Sequence, residues 1–147
     1  MSMKPGDSLV DYGCGTGRAL RHFSGWGLSV TGVDIAENCL EENVAFVRAC
    51  LWDLPELSSK WAYCTDVMEH IPEERIDDVL SGIAERSQAA YFQIATTKDA
   101  SGPLIIGEPL HLTVKAMDWW YDRLSRFWDT AMAKKGTGVI ARCRGTR

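Results

Sequence analysis

The sequence predicts an α/β fold in which a doubly wound, mostly parallel sheet is closed by a C-terminal antiparallel hairpin. Three observations carry that expectation. Short apolar runs alternate with amphipathic stretches along the chain, as strands and crossover helices do around a parallel sheet. The first apolar run ends in a cluster of glycines, Gly13, Gly15 and Gly17. Near the C-terminus, Lys-Lys-Gly-Thr-Gly separates two strand-like runs between positions 129 and 144, the pattern of a hairpin.

In chain order, Ser-Leu-Val-Asp-Tyr at 8–12 is a short apolar run of the kind a buried parallel strand makes. A helix is expected over 17–24, a second strand over 29–33 and a second helix over 35–43. Strands three and four are expected over 45–50 and 60–65. Pro72 suits a first helical turn, and Ile76, Val79, Leu80 and Ile83 recur at i, i+3, i+4 and i+7, which marks an amphipathic helix. A fifth strand is expected over 90–95. A late helix from Val114 sets Met117, Trp120, Tyr121, Leu124, Phe127 and Trp128 on one side, where they read as core against the sheet.

With 147 residues, 46% hydrophobic and 24% charged, the chain fits one globular domain. No apolar run approaches the ~20 residues needed to span a bilayer, and no secretory h-region opens the chain, so no membrane partner is expected. A net charge of −4 argues against a nucleic-acid partner. The basic residues Lys134, Lys135, Arg142, Arg144 and Arg147 read as a solvated strand edge. The five cysteines are odd in number and none are at Cys-x-x-Cys spacing. They predict buried thiols in a reducing compartment, the cytoplasm, without a disulfide frame or zinc site.

The segment Asp11-Tyr-Gly13-Cys14-Gly15-Thr16-Gly17 falls between the first strand and the first helix. Glycines there let the backbone turn sharply and approach a ligand closely. A dinucleotide fingerprint would need glycine at position 18, where Arg18 stands. With no Tyr-x-x-x-Lys pair either, a nicotinamide oxidoreductase is disfavoured. Asp34 ends the second strand, where a carboxylate can take both hydroxyls of a ribose or cap a following helix. The glycine loop ahead of it favours the ribose.

Leu-Val-Asp-Tyr-Gly-Cys-Gly-Thr-Gly, then Val-Thr-Gly-Val-Asp-Ile, then Asp-Leu-Pro at 53–55 and Asp-Val-Met-Glu-His-Ile-Pro at 66–72 together resemble the class I methyltransferases that use S-adenosylmethionine (SAM). The likeness covers roughly residues 7 to 95 and implies their Rossmann-like fold. It implies that Gly13, Cys14, Gly15, Thr16 and Gly17 line the methionine part of SAM with Asp11 close by. It further implies Asp34 and Ile35 at the ribose, the segment after strand three at the adenine, and Asp66 also at the cofactor. One departure concerns the adenine. The aspartate of the family's Gly-Asp-Ala-x-x-Leu-Pro segment falls here on Cys50, a poor acceptor. Leu51 backbone and Trp52 stacking, or Asp53, are the alternatives.

Asp66, Glu69 and His70 follow the fourth strand at i, i+3 and i+4, and His111 ends a long loop over 96–112, a length typical of lids and binding loops. His70 and His111 are the candidate general bases, since imidazole titrates near neutrality. Asp66, Glu69, His70 and His111 also offer mixed oxygen and nitrogen ligands for a divalent metal, a pattern similar to metal-assisted O-methyltransferases of quinone biosynthesis and of small-RNA 3′ ends. The bland alternative is a Glu-His pair that only shapes the SAM pocket. His22 reads as surface.

The function expected is methyl transfer to a hydroxyl of a small molecule or glycan, with N-methylation next. A non-catalytic SAM-binding or partner-dependent module is the alternative. The N-terminal helices that roof the acceptor site in this family are missing ahead of the first strand. The roof then falls to the 96–112 loop, to a large acceptor, or to a partner chain or oligomer. Trp119 is the aromatic expected to stand exposed on the acceptor side.

Overall fold

The computed structural model describes residues 2–39, 41 and 44–145. Within them seven strands form one sheet in the order β3-β2-β1-β4-β5-β7-β6. The strands are β1 (Ser8–Tyr12), β2 (Ser29–Asp34), β3 (Ala45–Arg48), β4 (Ser59–Thr65), β5 (Ser87–Ala95), β6 (Asp129–Lys135) and β7 (Gly138–Arg144). The first five pair in parallel. β7 is antiparallel to both its neighbours. The expected hairpin therefore supplies one antiparallel strand just inside the edge. The order of strands reverses at β1, which lies between β2 and β4, so the crevice of a doubly wound sheet opens beyond the carboxyl ends of β1 and β4.

Helix α1 (Arg18–Gly25) buries Leu20 and Phe23 in a small core with Leu9, Val30 and Trp61. Helix α2 (Ile76–Arg86) buries the four residues of its periodic stripe, Ile76, Val79, Leu80 and Ile83. It carries Asp77 and Asp78 in its first turn and Arg86 in its last, which complements the helix dipole. A one-turn helix, α3 (Ser101–Ile105), lies within the 96–112 loop, and α4 (Met117–Leu124) follows it. Trp120, Leu124 and Trp128 seal the larger core against Phe92, Ile94, Val139 and Ala141. Asp77 accepts from Arg123 Nη1 and Arg126 Nη1, which ties α2 to the end of α4. Among the described residues no helix is long and apolar enough to cross a membrane.

Two expectations are corrected. No helix forms over the described part of 35–43, which is bends and coil; Leu40, Glu42 and Asn43 lie outside the described residues. The backbone there is drawn into a different set of bonds. Ala36 N–H donates to Asp34 Oδ1 (3.0 Å), an Asx turn that competes with a helical start. Trp119 is half-buried, with Arg123 4.7 Å and Lys115 5.4 Å from its ring centroid, while Tyr121 is the aromatic of α4 that stands exposed. Cations at i−4 and i+4 cover the indole by cation–π attraction.

Trp120 is fully buried and its Nε1 has no hydrogen-bond partner. Its contribution is thus packing alone. Trp120→Ala is expected to cost roughly 3–5 kcal/mol in urea unfolding, whereas Trp120→Phe, which removes an unsatisfied N–H, should cost less than half as much.

Candidate active site

The glycine loop begins at the carboxyl end of β1. Gly13, Gly15 and Gly17 all have positive φ (79°, 51° and 85°), a conformation that side chains other than glycine rarely adopt. Gly13 and Gly17 also have a steric role. A Cβ on Gly13 would strike Val67, and one on Gly17 would come within 2.7 Å of Glu41 and 2.9 Å of Cys39. A Cβ on Gly15 would meet nothing within 4 Å, so the middle of the loop faces open space that a ligand can fill. Its pose is fixed from β2. Gly15 N–H donates to Asp34 Oδ2 (2.9 Å), and the Asn38 amide, turned with its nitrogen inward, donates to Gly15 O (3.1 Å).

Asp11 lies beneath this loop with 3% of its surface exposed, and no hydrogen bond reaches its carboxylate among the described residues. Burial first, and the charge of Asp34 second, push its pKa up to about 7. A buried acid left without a partner is costly unless something cationic approaches it. The Cys14 thiol turns toward the sheet at Gly32, and burial holds it at about 12, so Cys14 offers the crevice its backbone only. Thr16 and Ile35 are exposed at the rim.

Asp34 caps no helix; its two oxygens hold the glycine loop and an Asx turn instead. Each oxygen accepts one backbone N–H and keeps lone pairs for a ligand. Past β3, the Leu51 side chain packs into the core and leaves only its backbone to a ligand. Trp52 is exposed, with the Arg75 guanidinium 6.0 Å from its ring centroid. Asp53 is exposed.

Beyond β4 the four acidic and histidine candidates divide. Glu69, His70 and His111 each place a ligand atom within 4.8 Å of the others. Asp66 stands apart. It has φ 56°, the one positive φ outside glycine among the described residues, and accepts from Gln93 Nε2 through both oxygens (3.1 and 3.2 Å). Lys135 Nζ donates in turn to Gln93 Oε1 (2.7 Å). A strained backbone held by such a network is typical of functional sites.

The histidines are oriented by backbone. His70 Nδ1 lies 2.9 Å from Leu110 O and His111 Nδ1 2.7 Å from Thr97 O. A carbonyl only accepts, so both neutral rings carry their proton on Nδ1 and keep Nε2 as the basic atom. Glu69 is 1% exposed. Its Oε1 accepts from Ala95 N–H (3.1 Å), while its Oε2 is buried without a partner. Glu69 O also accepts from Leu112 N–H and Thr113 N–H, which draws the two histidines together across 40 residues of sequence, with ring centroids 5.1 Å apart.

Asn38, Gln93, Lys135 and Asp99 were not anticipated as site residues. Asp99 accepts from Gly102, Leu110 and His111 N–H groups (2.5, 2.8 and 3.0 Å) and so seats the loop that holds His111. Its carboxylate is held below its ordinary pKa, chiefly by the His111 bond. No spacing motif marks these four residues, since each acts through a partner far along the chain. A cavity at the opposite end of the strands, beside Ser59, Ser87 and Arg144, has none of these features.

A reversed strand order, a left-handed glycine loop and an acidic end to β2 define a class I, nucleoside-binding transferase site. The comparisons agree. The chain belongs to the methyltransferase-domain family, whose model matches residues 2–130. It is a SAM-dependent methyltransferase by fold and family. Its structure is similar to that of a protein from Pyrococcus horikoshii OT3, with TM-score 0.82, 15% identity and coverage of 98% of this chain and 84% of that one. It is also similar to magnesium protoporphyrin IX methyltransferase of Synechocystis PCC 6803 with bound S-adenosylhomocysteine (SAH), with TM-score 0.76, 20% identity and coverage of 97% and 75%. A third likeness is to a solved complex of a Haloferax volcanii methyltransferase activator and its methyltransferase, with TM-score 0.82, 14% identity and coverage of 100% and 86%. No curated protein sequence matches the chain.

The open space beside Gly15 and the buried acid below it fit a ligand with a cationic tail, as SAM has. Asp11→Asn should therefore have opposite effects on binding and folding. Above pH 7 the ligand-free variant is expected to be more stable, by on the order of 2 kcal/mol, because a buried charge is removed. Its affinity for SAM should fall tenfold or more by calorimetry, and a loss of both stability and affinity would contradict this assignment.

Proposed function

We propose that this chain methylates a hydroxyl of a small molecule or glycan, with His111 or His70 as general base. The observation that carries this reading is the histidine pair whose Nδ1 atoms both rest on backbone carbonyls. SAM, when bound, supplies an electrophilic methyl group on a cationic sulfur. The chain's own residues do the rest. Asp11 faces the cationic tail, Gly13 to Gly17 admit it closely, Asp34 takes ribose hydroxyls, and the backbone of Leu51 with Trp52 or Asp53 meets the adenine. Asp66, held by Gln93, borders the cofactor. The free imidazole Nε2 removes the hydroxyl proton as the acceptor oxygen gains its methyl. A net charge of −4 favours such acceptors over nucleic acid. Five free cysteines suit a reducing cytoplasm.

The same trio fits a divalent metal. Glu69 Oε2 is orphaned, and each histidine is anchored through one nitrogen with the other left over, as metal-bound imidazoles are oriented. Glu69, His70 and His111 would hold the ion, without Asp66, and it would lower the pKa of an acceptor hydroxyl. A partner-dependent module is the second reading. It is favoured by the sheet face that carries Tyr63, Tyr91, Gln93, Ile140 and Arg142, all partly or fully exposed, and by the activator bound in the Haloferax complex.

Transfer from labelled SAM to a panel of phenols, sugars and amines separates these readings. His111→Ala is expected to lower turnover of hydroxyl acceptors about a hundredfold with SAH affinity unchanged; undiminished turnover would remove His111 from the catalytic role. A thermal shift of the wild-type chain with Mn²⁺ or Zn²⁺ that disappears in His70→Ala would establish the metal site, and no shift would exclude it. Asp34→Ala should weaken SAH binding at least tenfold, and wild-type affinity would refute the ribose contact.

A further inference from the structure

The loop that seats His111 ends in an apolar tip with nothing against it. Leu104, Ile105 and Ile106 are 85%, 77% and 59% exposed, and Leu110 and Leu112 continue the apolar surface toward His111 at 40% and 58%. Exposed aliphatic clusters of this kind mark contact sites. The tip is not a slack loop that could fold back. Asp99 binds both of its ends through three N–H groups. Gly102 is packed so closely that a Cβ would lie 2.5 Å from Glu108 O and 2.7 Å from Leu110 N. Gly107 completes the turn at φ 79°. The clasp thus presents three consecutive aliphatic side chains outward.

We propose that this tip docks into the headgroup region of an anionic phospholipid bilayer. Shape and charge select that occupant. Three adjacent side chains at the end of one helical turn fan outward, so the surface is convex, whereas small-molecule sites are concave. A bilayer interface admits a convex apolar wedge. Lys98 stands exposed at the foot of the loop. The β6–β7 turn is bonded to the same foot, where Thr96 N–H and Oγ1 both donate to Thr137 O (3.1 and 3.0 Å), and the end of β6 carries exposed Lys134 and Lys135, the latter donating to Gln93. Asp99 spends its charge on the N–H groups of its own loop, and Glu108 is the one exposed acid of residues 100–112. Lysines beside an apolar tip are attracted to anionic headgroups. Docking would set the active end of the sheet against the bilayer, where amphipathic acceptors collect. The inference goes beyond the methyl-transfer reading, since adsorption requires no chemistry.

The test is co-sedimentation of the SAH-bound full chain with phosphatidylcholine vesicles, with and without phosphatidylserine. Partition onto the phosphatidylserine vesicles is expected, weakening at high salt. It should fall roughly tenfold or more in the triple variant Leu104→Ser, Ile105→Ser, Ile106→Ser and also in Ile105→Asp, while SAH affinity stays at wild-type level in both. Absence of wild-type partition, or equal partition of wild type and variants, would overturn the proposal. A concentration-dependent dimer in sedimentation velocity that Ile105→Asp dissolves, without vesicle binding, would also overturn it and assign the tip to self-association.

Discussion

The active end of this protein depends on an acid buried without a partner. Asp11 follows Val10 in β1 and is covered by a glycine loop that Asp34 and Asn38 grip from β2. Burial holds its carboxyl near pH 7, so at neutral pH the ligand-free fold carries a charge it has not compensated. The sign follows directly. The folded chain holds this proton more tightly than the unfolded chain, so Asp11 costs stability as pH rises from about 4 to about 7. A cationic ligand reverses that penalty.

Around that centre the strand ends divide the labour. The loop after β1 rests on glycine conformations that other residues rarely adopt, and β2 ends in the carboxylate that fixes it. β4, β5 and the loop after β5 carry Glu69, His70 and His111, with side chains pinned by backbone carbonyls and amides. Glu69 links these segments, since its main-chain oxygen accepts from Leu112 and Thr113 N–H and its carboxylate reaches β5. The histidines therefore sit on a rigid frame and not on a mobile lid. The apolar surface at 104–106 is built on the same frame through Asp99.

Much of this was legible in the sequence because it is written locally. The loop glycines follow from positive φ, the α2 stripe from its 3.6 period, and the hairpin from its Gly-Thr-Gly turn; the structure has all three. What failed was decided by bonds that hydrophobic period does not reveal, some of them local. Residues 35–39 look helical until Asp34 and Gly15 claim the backbone of Ala36 and the amide of Asn38. Asp66 shares helical spacing with Glu69 and His70, but no α-helix starts there; a left-handed residue and a 3₁₀ turn send Asp66 toward Gln93. Trp119 had a local signal that sequence reasoning passed over, basic residues four positions to either side. The 96–112 loop is one of three expected sources of a roof, beside a large acceptor and a partner chain, and its tip points to solvent. The expectation of no membrane partner rests on spanning length and on the lack of a secretory h-region, and neither criterion bears on a short surface wedge.

The most direct test of the account is the number of protons released when SAM binds. Titration calorimetry at pH 6.5 in buffers of different ionisation enthalpy measures it. An acid that ionises only on meeting its cation should release a substantial fraction of one proton there, with affinity falling up to tenfold per unit as pH drops below about 7, and the release should vanish in Asp11→Asn. A proton count of zero in the wild-type chain, with affinity flat across this range, would mean that Asp11 is ionised or spectating before SAM arrives and would contradict the central claim.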